Sequence, residues 1–363
     1  MKVALVHYWL VNRRGGERVL EALCEMYPQA DIFTHVYAPA AMSDTINARR
    51  VQTSFIGRLP RIAKWYQYAL PLMPLALEQL DLRGYDLVIS SESGPAKGVI
   101  TGPDTTHVCY CHSPMRYVWD MYHDYVASAG TLKRALIAPL MHYLRLWDRL
   151  SADRVDKFVA NSAFVQRRIR KHYRRRATVV HPPVEVDAFT HDAPREDFYL
   201  MVGELVGYKR ADLAVRACSR TGKRLVVIGG GEQLEDLKTM AGPSVTIMGR
   251  QPFSVIRDYM SRCRALLFPG KEDFGIVPVE AMASGAPVIA FGQGGALETV
   301  KDGVTGRFFH EQTEESLLAA ITAFEETLEA YSTSAIRAHA EAFGPQRFKD
   351  DMQRAIDAAM AAS

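Results

Sequence analysis

Short apolar runs alternate along this chain with longer stretches whose apolar residues recur at helical spacing; the alternation halts once and then restarts. "VALVHY" (3–8) is followed by "GGERVLEALCEMY", in which Val19, Leu20, Leu23 and Met26 fall on one helical face. "DLVISSES" (86–93), "THVCYCH" (106–112) and "KFVANS" (157–162) continue the strand-like series. Runs this apolar must be covered on both faces, so the rhythm predicts a parallel sheet flanked by helices. "HPPVEVDAFTHDAPRED" (181–197) breaks it, because its consecutive prolines favour extended chain. Then follow "FYLMVG" (198–203), "RLVVIGGG" (224–231), "SVTIMG" (244–249), "ALLFPG" (265–270) and "PVIAFG" (287–292). The pattern predicts two doubly wound α/β domains, residues 1–183 and 198–344, joined by a linker at 184–197. A last amphipathic helix, 345–363, is expected to pack back on the first domain.

A chain of 363 residues suits two domains, and with 48% apolar residues each can bury its own core. The net charge of +3 does not call for nucleic acid or a membrane as a global partner. Cys24, Cys109, Cys111, Cys218 and Cys263 are odd in number and scattered, which argues against a disulfide framework and for a reducing compartment. Residues 3–6 read as a buried strand rather than a leader, and no apolar run reaches membrane-spanning length. The expected location is cytoplasmic.

Open α/β sheets take ligands at the carboxyl ends of their strands, so two such domains facing each other place a site in the cleft between them. The stretch "PGKEDFGIVPVEAMASGAPVIA" (269–290) lies at such an end. Glu272 sits in the loop, Pro278 suits a first helical position, Glu280 falls in the first helical turn and Gly285 stops the helix. Amides near Gly275 and Ile276 then point out of a helix N-terminus, a place suited to phosphate or hydroxyl oxygens. Glu280 can accept two hydrogen bonds from a vicinal diol, or it can simply complement the helix dipole. Gly15 and Gly16 precede a helix and permit close backbone approach to a diphosphate, or make a tight turn. The glycines of "VIGGGE" (227–232) lack a dinucleotide fingerprint and read as structural.

His112 follows a strand and is placed to meet a substrate hydroxyl or take a proton. Strand alternation sends Cys109 and Cys111 to one face and His112 to the other, so this cluster does not read as a zinc site. Lys209 and Arg210 precede a helix, where the dipole disfavours cations; there they can neutralise a diphosphate, or stand as a solvated pair. The run "RRIRKHYRRR" (167–176) reads as a solvated face or as a patch for anionic lipid headgroups. "KWYQYALPLMPLALEQL" (64–80) reads as a core helix or a lipid-facing patch.

Glu272 to Glu280 with "DFGIVPV" between them, then "GAPVIA", "GGALETV" and "DGVTGRFF", resemble the family 4 retaining glycosyltransferases of GT-B fold. "CHSPMRYVWDMYHDY", "NSAFVQRRI", "PPVEVDAF" and "YKRADLAV" are similar to a bacterial branch with O-antigen mannosyltransferases, so the resemblance spans nearly the whole chain. It implies two Rossmann-like domains and a nucleotide-sugar donor held mainly by the second. By that resemblance Glu272 meets hydroxyls of the transferred sugar, Glu280 the ribose diol, and the Phe274, Gly275 and Ile276 backbone the sugar and diphosphate oxygens. Lys209 stabilises the diphosphate, the Gly15–Gly16 loop closes over the reacting region and His112 approaches the sugar. Glu204 departs from the pattern, which has arginine there, and Arg210 is the candidate substitute. No Asp-x-Asp pair is present to hold a diphosphate through a metal. The expected reaction moves a hexose, mannose from GDP-mannose, to a polyprenyl-diphosphate-linked or other glycan. Alternatives are a UDP-sugar donor, a nucleotide-sugar epimerase or a catalytically defective carbohydrate-binding protein. "MGRQPF" (248–253) is the candidate for meeting the base.

Overall fold

The structure, a computed structural model, describes residues 1–123 and 131–362, with the side chains of 131–136 undescribed. It divides into two compact units, Met1–Pro183 with Phe348–Ser363, and Val184–Arg347. Each is built on one sheet whose strands pair in parallel throughout. The first holds β1 (Val3–His7), β2 (Asp31–Thr34), β3 (Val51–Thr53), β4 (Leu87–Glu92), β5 (Thr106–Cys111), β6 (Lys157–Ala160) and β7 (Ala177–Val179). Their order is β3-β2-β1-β4-β5-β6-β7. The second holds β8 (Tyr199–Val202), β9 (Leu225–Ile228), β10 (Val245–Gly249), β11 (Ala265–Phe268), β12 (Val288–Phe291) and β13 (Gly306–Phe309), in the order β10-β9-β8-β11-β12-β13. The expected pair of doubly wound Rossmann-like units is present.

Helices cover both faces of each sheet because the strands are apolar on both. On one face of the first sheet, Leu20 and Leu23 of α1 (Gly15–Met26) meet Val3, Leu5 and Tyr110. On the other, Cys109 and Cys111 pack with Phe158, Val165 and Tyr173. Two more helices frame this unit, α2 (Thr131–Ser151) and α3 (Ala163–His172). In the second unit α4 (Ala211–Thr221) lies on one face and α5 (Ile276–Ala283) on the other. The last helix, α6 (Pro345–Met360), returns Phe348, Met352 and Ile356 to the core of the first unit. All five cysteines are buried free thiols.

The segment expected as a linker, 184–197, is instead folded into the second unit. Val184, Val186 and Phe189 are buried in its core. Arg337 donates to the Val186 and Phe189 carbonyls, and Arg195 to those of Met260, Ser261 and Ser284. The prolines stop regular structure without freeing the chain, because side chains of the same unit satisfy its backbone.

Two histidines of the first unit are built into the core as neutral groups. His107 places Nε2 2.9 Å from the Ser90 hydroxyl and Nδ1 3.2 Å from the Arg154 carbonyl, which only accepts. Burial lowers both His107 and His35 to about 4. The unfolded chain takes up these protons near the ordinary imidazole value of about 6.5, so their contribution is complete above that pH and is lost as pH falls toward 4. Glu92, raised to about 7 first by burial, acts in the opposite sense between that value and the ordinary carboxylate range. With His112 likewise lowered by burial, to about 3, three histidines stand against one glutamate, so the thermal midpoint of the first unit should fall between pH 6.5 and 4, as followed by circular dichroism, and His107→Asn should flatten the slope.

Candidate active site

Chain order in each sheet reverses at one point, between β1 and β4 in the first and between β8 and β11 in the second. The loops on either side run apart there, leaving the strand ends open to a ligand. The candidate residues collect at these two places.

In the second unit, β8 leads through Gly203 into a short 3₁₀ turn, Gly207–Lys209, and β11 leads into the loop holding Glu272. The Lys209 Nζ lies 2.9 Å from Glu272 Oε1, with the two side chains only 16% and 18% exposed. Burial opposes the ammonium charge, but the Glu272 carboxylate outweighs it and holds Lys209 above its ordinary value. The loops meet so closely that a Cβ on Gly270 would stand 2.7 Å from the Lys209 Cα. On the far side, a Cβ on Gly295 would stand 2.3 Å from the Phe274 Cα, and the Gly295 amide donates to the Glu272 carbonyl at 2.9 Å. Gly270 and Gly295 therefore let the loops after β8, β11 and β12 close around Glu272.

α5 begins two residues earlier than the sequence suggests. Gly275 is its N-cap at φ +88°, a conformation glycine adopts without penalty, and Pro278 is its third residue. Proline is tolerated there because first-turn amides have no intrahelical acceptor in any case. Glu280 is accordingly the fifth helical residue rather than a first-turn one, and it is 7% exposed. Position alone no longer makes it a dipole partner. A glycine N-cap brings no side-chain acceptor to the amides of Ile276 and Val277, so the α5 terminus keeps its capacity for a ligand's oxygens. The Phe274 ring is core, edge-on to Phe343 at 5.8 Å, so only its backbone can serve a site. Gly285 at φ +67° ends the helix as expected: its amide bonds the Met282 carbonyl and the Ala286 amide that of Ala281.

Arg210 does not join Lys209. Its guanidinium forks onto Asp212 at 3.0 and 3.1 Å. Glu204 has a cationic neighbour that sequence reading passed over, since Arg250 Nη2 lies 3.7 Å from Glu204 Oε1. The "VIGGGE" glycines are structural as read: a Cβ on Gly229 would lie 1.8 Å from the Gly203 carbonyl oxygen.

In the first unit, Gly15 and Gly16 do not form a loop; they open α1 as its first two residues. Neither has positive φ. What requires glycine at 16 is space, because a Cβ there would meet the Tyr8 hydroxyl at 2.6 Å, with His7 and His112 at 3.6 and 3.7 Å. His112 continues from β5, with its amide bonded to the Glu92 carbonyl at 2.7 Å and Nε2 2.8 Å from Ser91 Oγ. Burial first, and then the neighbouring His7, lower it to about 3, so His112 is neutral at ordinary pH. Behind it Lys97, fully buried, bridges Glu92 and Asp148, which also accepts from Trp119 and Tyr173. This anchors β4 and the 112–120 loop to α2 and α3. Sequence reading missed His7, Tyr8, Glu17 and Ser91; His7 was findable, since it ends a strand as His112 does.

Residues 13–188 match the family Glycosyltransferase Family 4, and residues 185–338 match Glycosyl transferases group 1. The chain belongs to the family 4 glycosyltransferases of GT-B fold. A D-inositol 3-phosphate glycosyltransferase of Geodermatophilus obscurus is 32% identical over 238 residues, 56% of this chain and 53% of that protein. The chain spans about half the length of the curated relatives it matches. Among solved structures, Anabaena HepE in complex with UDP superposes with a TM-score of 0.71 at 17% identity, covering 99% of this chain and 100% of its own. Sucrose-phosphate synthase from Thermosynechococcus elongatus gives 0.73 at 17% identity, covering 100% of both chains. At these identities the superpositions establish the fold.

Gly295→Ala tests the clamp around Glu272. The added methyl must displace backbone rather than a flexible side chain, so the variant should lose about 1–3 kcal/mol, read as a lower denaturation midpoint.

Proposed function

We propose that the protein is a retaining hexosyltransferase that takes its sugar from a nucleoside-diphosphate donor and passes it to a lipid-linked or polysaccharide glycan. GDP-mannose is the first candidate donor and a UDP-hexose the second. The observation that carries the reading is the Lys209–Glu272 pair, half-sheltered at the β8/β11 switch point together with the glycine-capped start of α5. In this reading the Lys209 ammonium and the α5 amides balance the diphosphate charge, which grows as the glycosidic bond breaks. Glu272 accepts from sugar hydroxyls and Glu280 from the ribose diol. The acceptor oxygen bonds the anomeric carbon, the diphosphate departs from the same face, and a diphosphate oxygen takes the acceptor's proton. The scheme needs no metal and no covalent nucleophile. Arg250, rather than Arg210, is the better-placed cation to offset Glu204.

The choice of nucleotide is tested by thermal stabilisation with a panel including GDP and UDP, followed by calorimetry and product NMR. Glu280→Ala should weaken nucleotide binding about ten-fold or more, as expected for lost hydrogen bonds to a charged group. Lys209→Ala should lower turnover roughly 100-fold, the scale of one lost transition-state contact. Binding of no nucleotide would overturn the reading, and donor turnover without an acceptor would favour the epimerase.

A membrane-held acceptor calls for a surface that meets lipid. Of the 167–176 run, Arg168 and Arg175 turn inward, Arg168 onto Ser113 and Asp120 and Arg175 onto the Ala152 and Val155 carbonyls. Arg167, Arg170, Lys171, Arg174 and Arg176 are exposed. The segment 45–77 fits better. It exposes Arg50, Arg58, Arg61 and Lys64, holds no acid, and exposes Tyr68 (85%), Leu72 (48%) and Leu75 (52%). Exposed apolar side chains in the same segment as exposed cations suit an anionic bilayer. Cosedimentation with vesicles containing phosphatidylglycerol should exceed that with neutral vesicles and should fall in Tyr68→Glu/Leu72→Glu. Equal binding to both vesicle types would count against this surface.

A further inference from the structure

Three buried polar side chains form a continuous path beneath His112. The Glu17 Oε2 accepts from the Arg14 amide at 2.8 Å, and its Oε1 lies 3.5 Å from His7 Nε2. On the other side of its ring, His7 Nδ1 lies 3.1 Å from Ser91 Oγ, which is 2.8 Å from His112 Nε2. His7 and Ser91 are wholly buried and Glu17 is 3% exposed. The fold brings them together through register and helix start: His7 and Ser91 are paired residues of β1 and β4, and Glu17 is the third residue of α1.

The path has a direction because its members have fixed capacities. An ionised carboxylate only accepts, so the His7 nitrogen facing it at 3.5 Å carries the proton; that nitrogen makes no closer hydrogen bond. In the neutral ring with its proton at Nε2, Nδ1 of His7 is a bare lone pair facing Ser91. That lone pair takes the single hydroxyl proton of Ser91. The serine oxygen, its proton committed, accepts from His112. Glu17 itself is held below its ordinary value against the effect of burial, chiefly by His7 and the Arg14 amide.

We infer that Glu17, His7 and Ser91 are positioning residues that fix His112 as the Nε2–H tautomer, leaving its Nδ1 as a hydrogen-bond acceptor. On the proposed function, that acceptor is open to a substrate hydroxyl. His112 then acts as a neutral, oriented acceptor, and it contributes neither a charge nor a proton.

Long-range 1H–15N correlation NMR on 15N-histidine-labelled protein reads the tautomer directly, with His112 assigned from the signal lost in His112→Gln. The expected result is an unprotonated Nδ1 and a protonated Nε2 at His112 in the free protein. Ser91→Ala should mix the two tautomers, and Ser91→Thr, which keeps the hydroxyl, should restore one. In turnover assays Ser91→Ala should lower kcat with little change in donor KM, and Ser91→Thr should recover it. A protonated Nδ1 in the wild type, or a spectrum unchanged by Ser91→Ala, overturns the inference. The spectrum does not depend on any donor, so failure of the transferase reading would leave this result standing. Should Ser91→Ala fail to fold, the wild-type spectrum alone still decides.

Discussion

Parallel pairing is the constraint on which the arrangement depends. A parallel strand can be reached only by a crossover, so every strand of a sheet ends on the same edge and every helix returns to the other. Seven strands in one unit and six in the other thus deliver all their carboxyl ends to one edge each. Where chain order reverses, neighbouring loops leave in opposite directions and cannot cover the strand ends. His7, Ser91 and His112 stand at one such gap, and Lys209 and Glu272 at the other. These residues lie far apart in sequence, and topology alone brings them together.

Charge inside the molecule is placed according to how much freedom it must keep. Lys97 is surrounded: it donates to Glu92 and Asp148, and Asp148 also accepts from Tyr173 and Trp119, so removing any partner strands a buried charge. The Lys209–Glu272 pair is chemically similar but sits at a sheltered rim with both partners part-exposed. There a bound anion can share the ammonium without leaving a buried carboxylate stranded. The first arrangement secures strand ends; the second is suited to exchange partners.

Much of this was legible in the sequence. Apolar runs mark the strands because burial on both faces permits little else, and Glu272, Lys209 and His112 are singled out as candidates by asking which polar residues follow such runs. Boundaries were less secure. Pro278 suggested a helix start that Gly275 actually makes, and Gly15 and Gly16 suggested a loop although α1 already begins there. In both cases a residue type permitted two backbone states, and packing decided between them. The chain at 184–197 read as a tether because its anchoring arginines, Arg195 apart, lie well outside it, at Arg257 and Arg337. The support beneath His112 was invisible for the same reason. Its members come from β1, α1 and β4, and only strand register shows that His7 and Ser91 are neighbours.

The return of α6 has a consequence for biosynthesis. Phe348, Met352 and Ile356 complete the same apolar cluster as Val3 and Leu5. A nascent chain emerging from the ribosome can therefore finish the Val184–Arg347 body while the earlier-made one still lacks part of its interior. The half translated first is sealed last, and for that interval its unsealed face is a ready substrate for a chaperone.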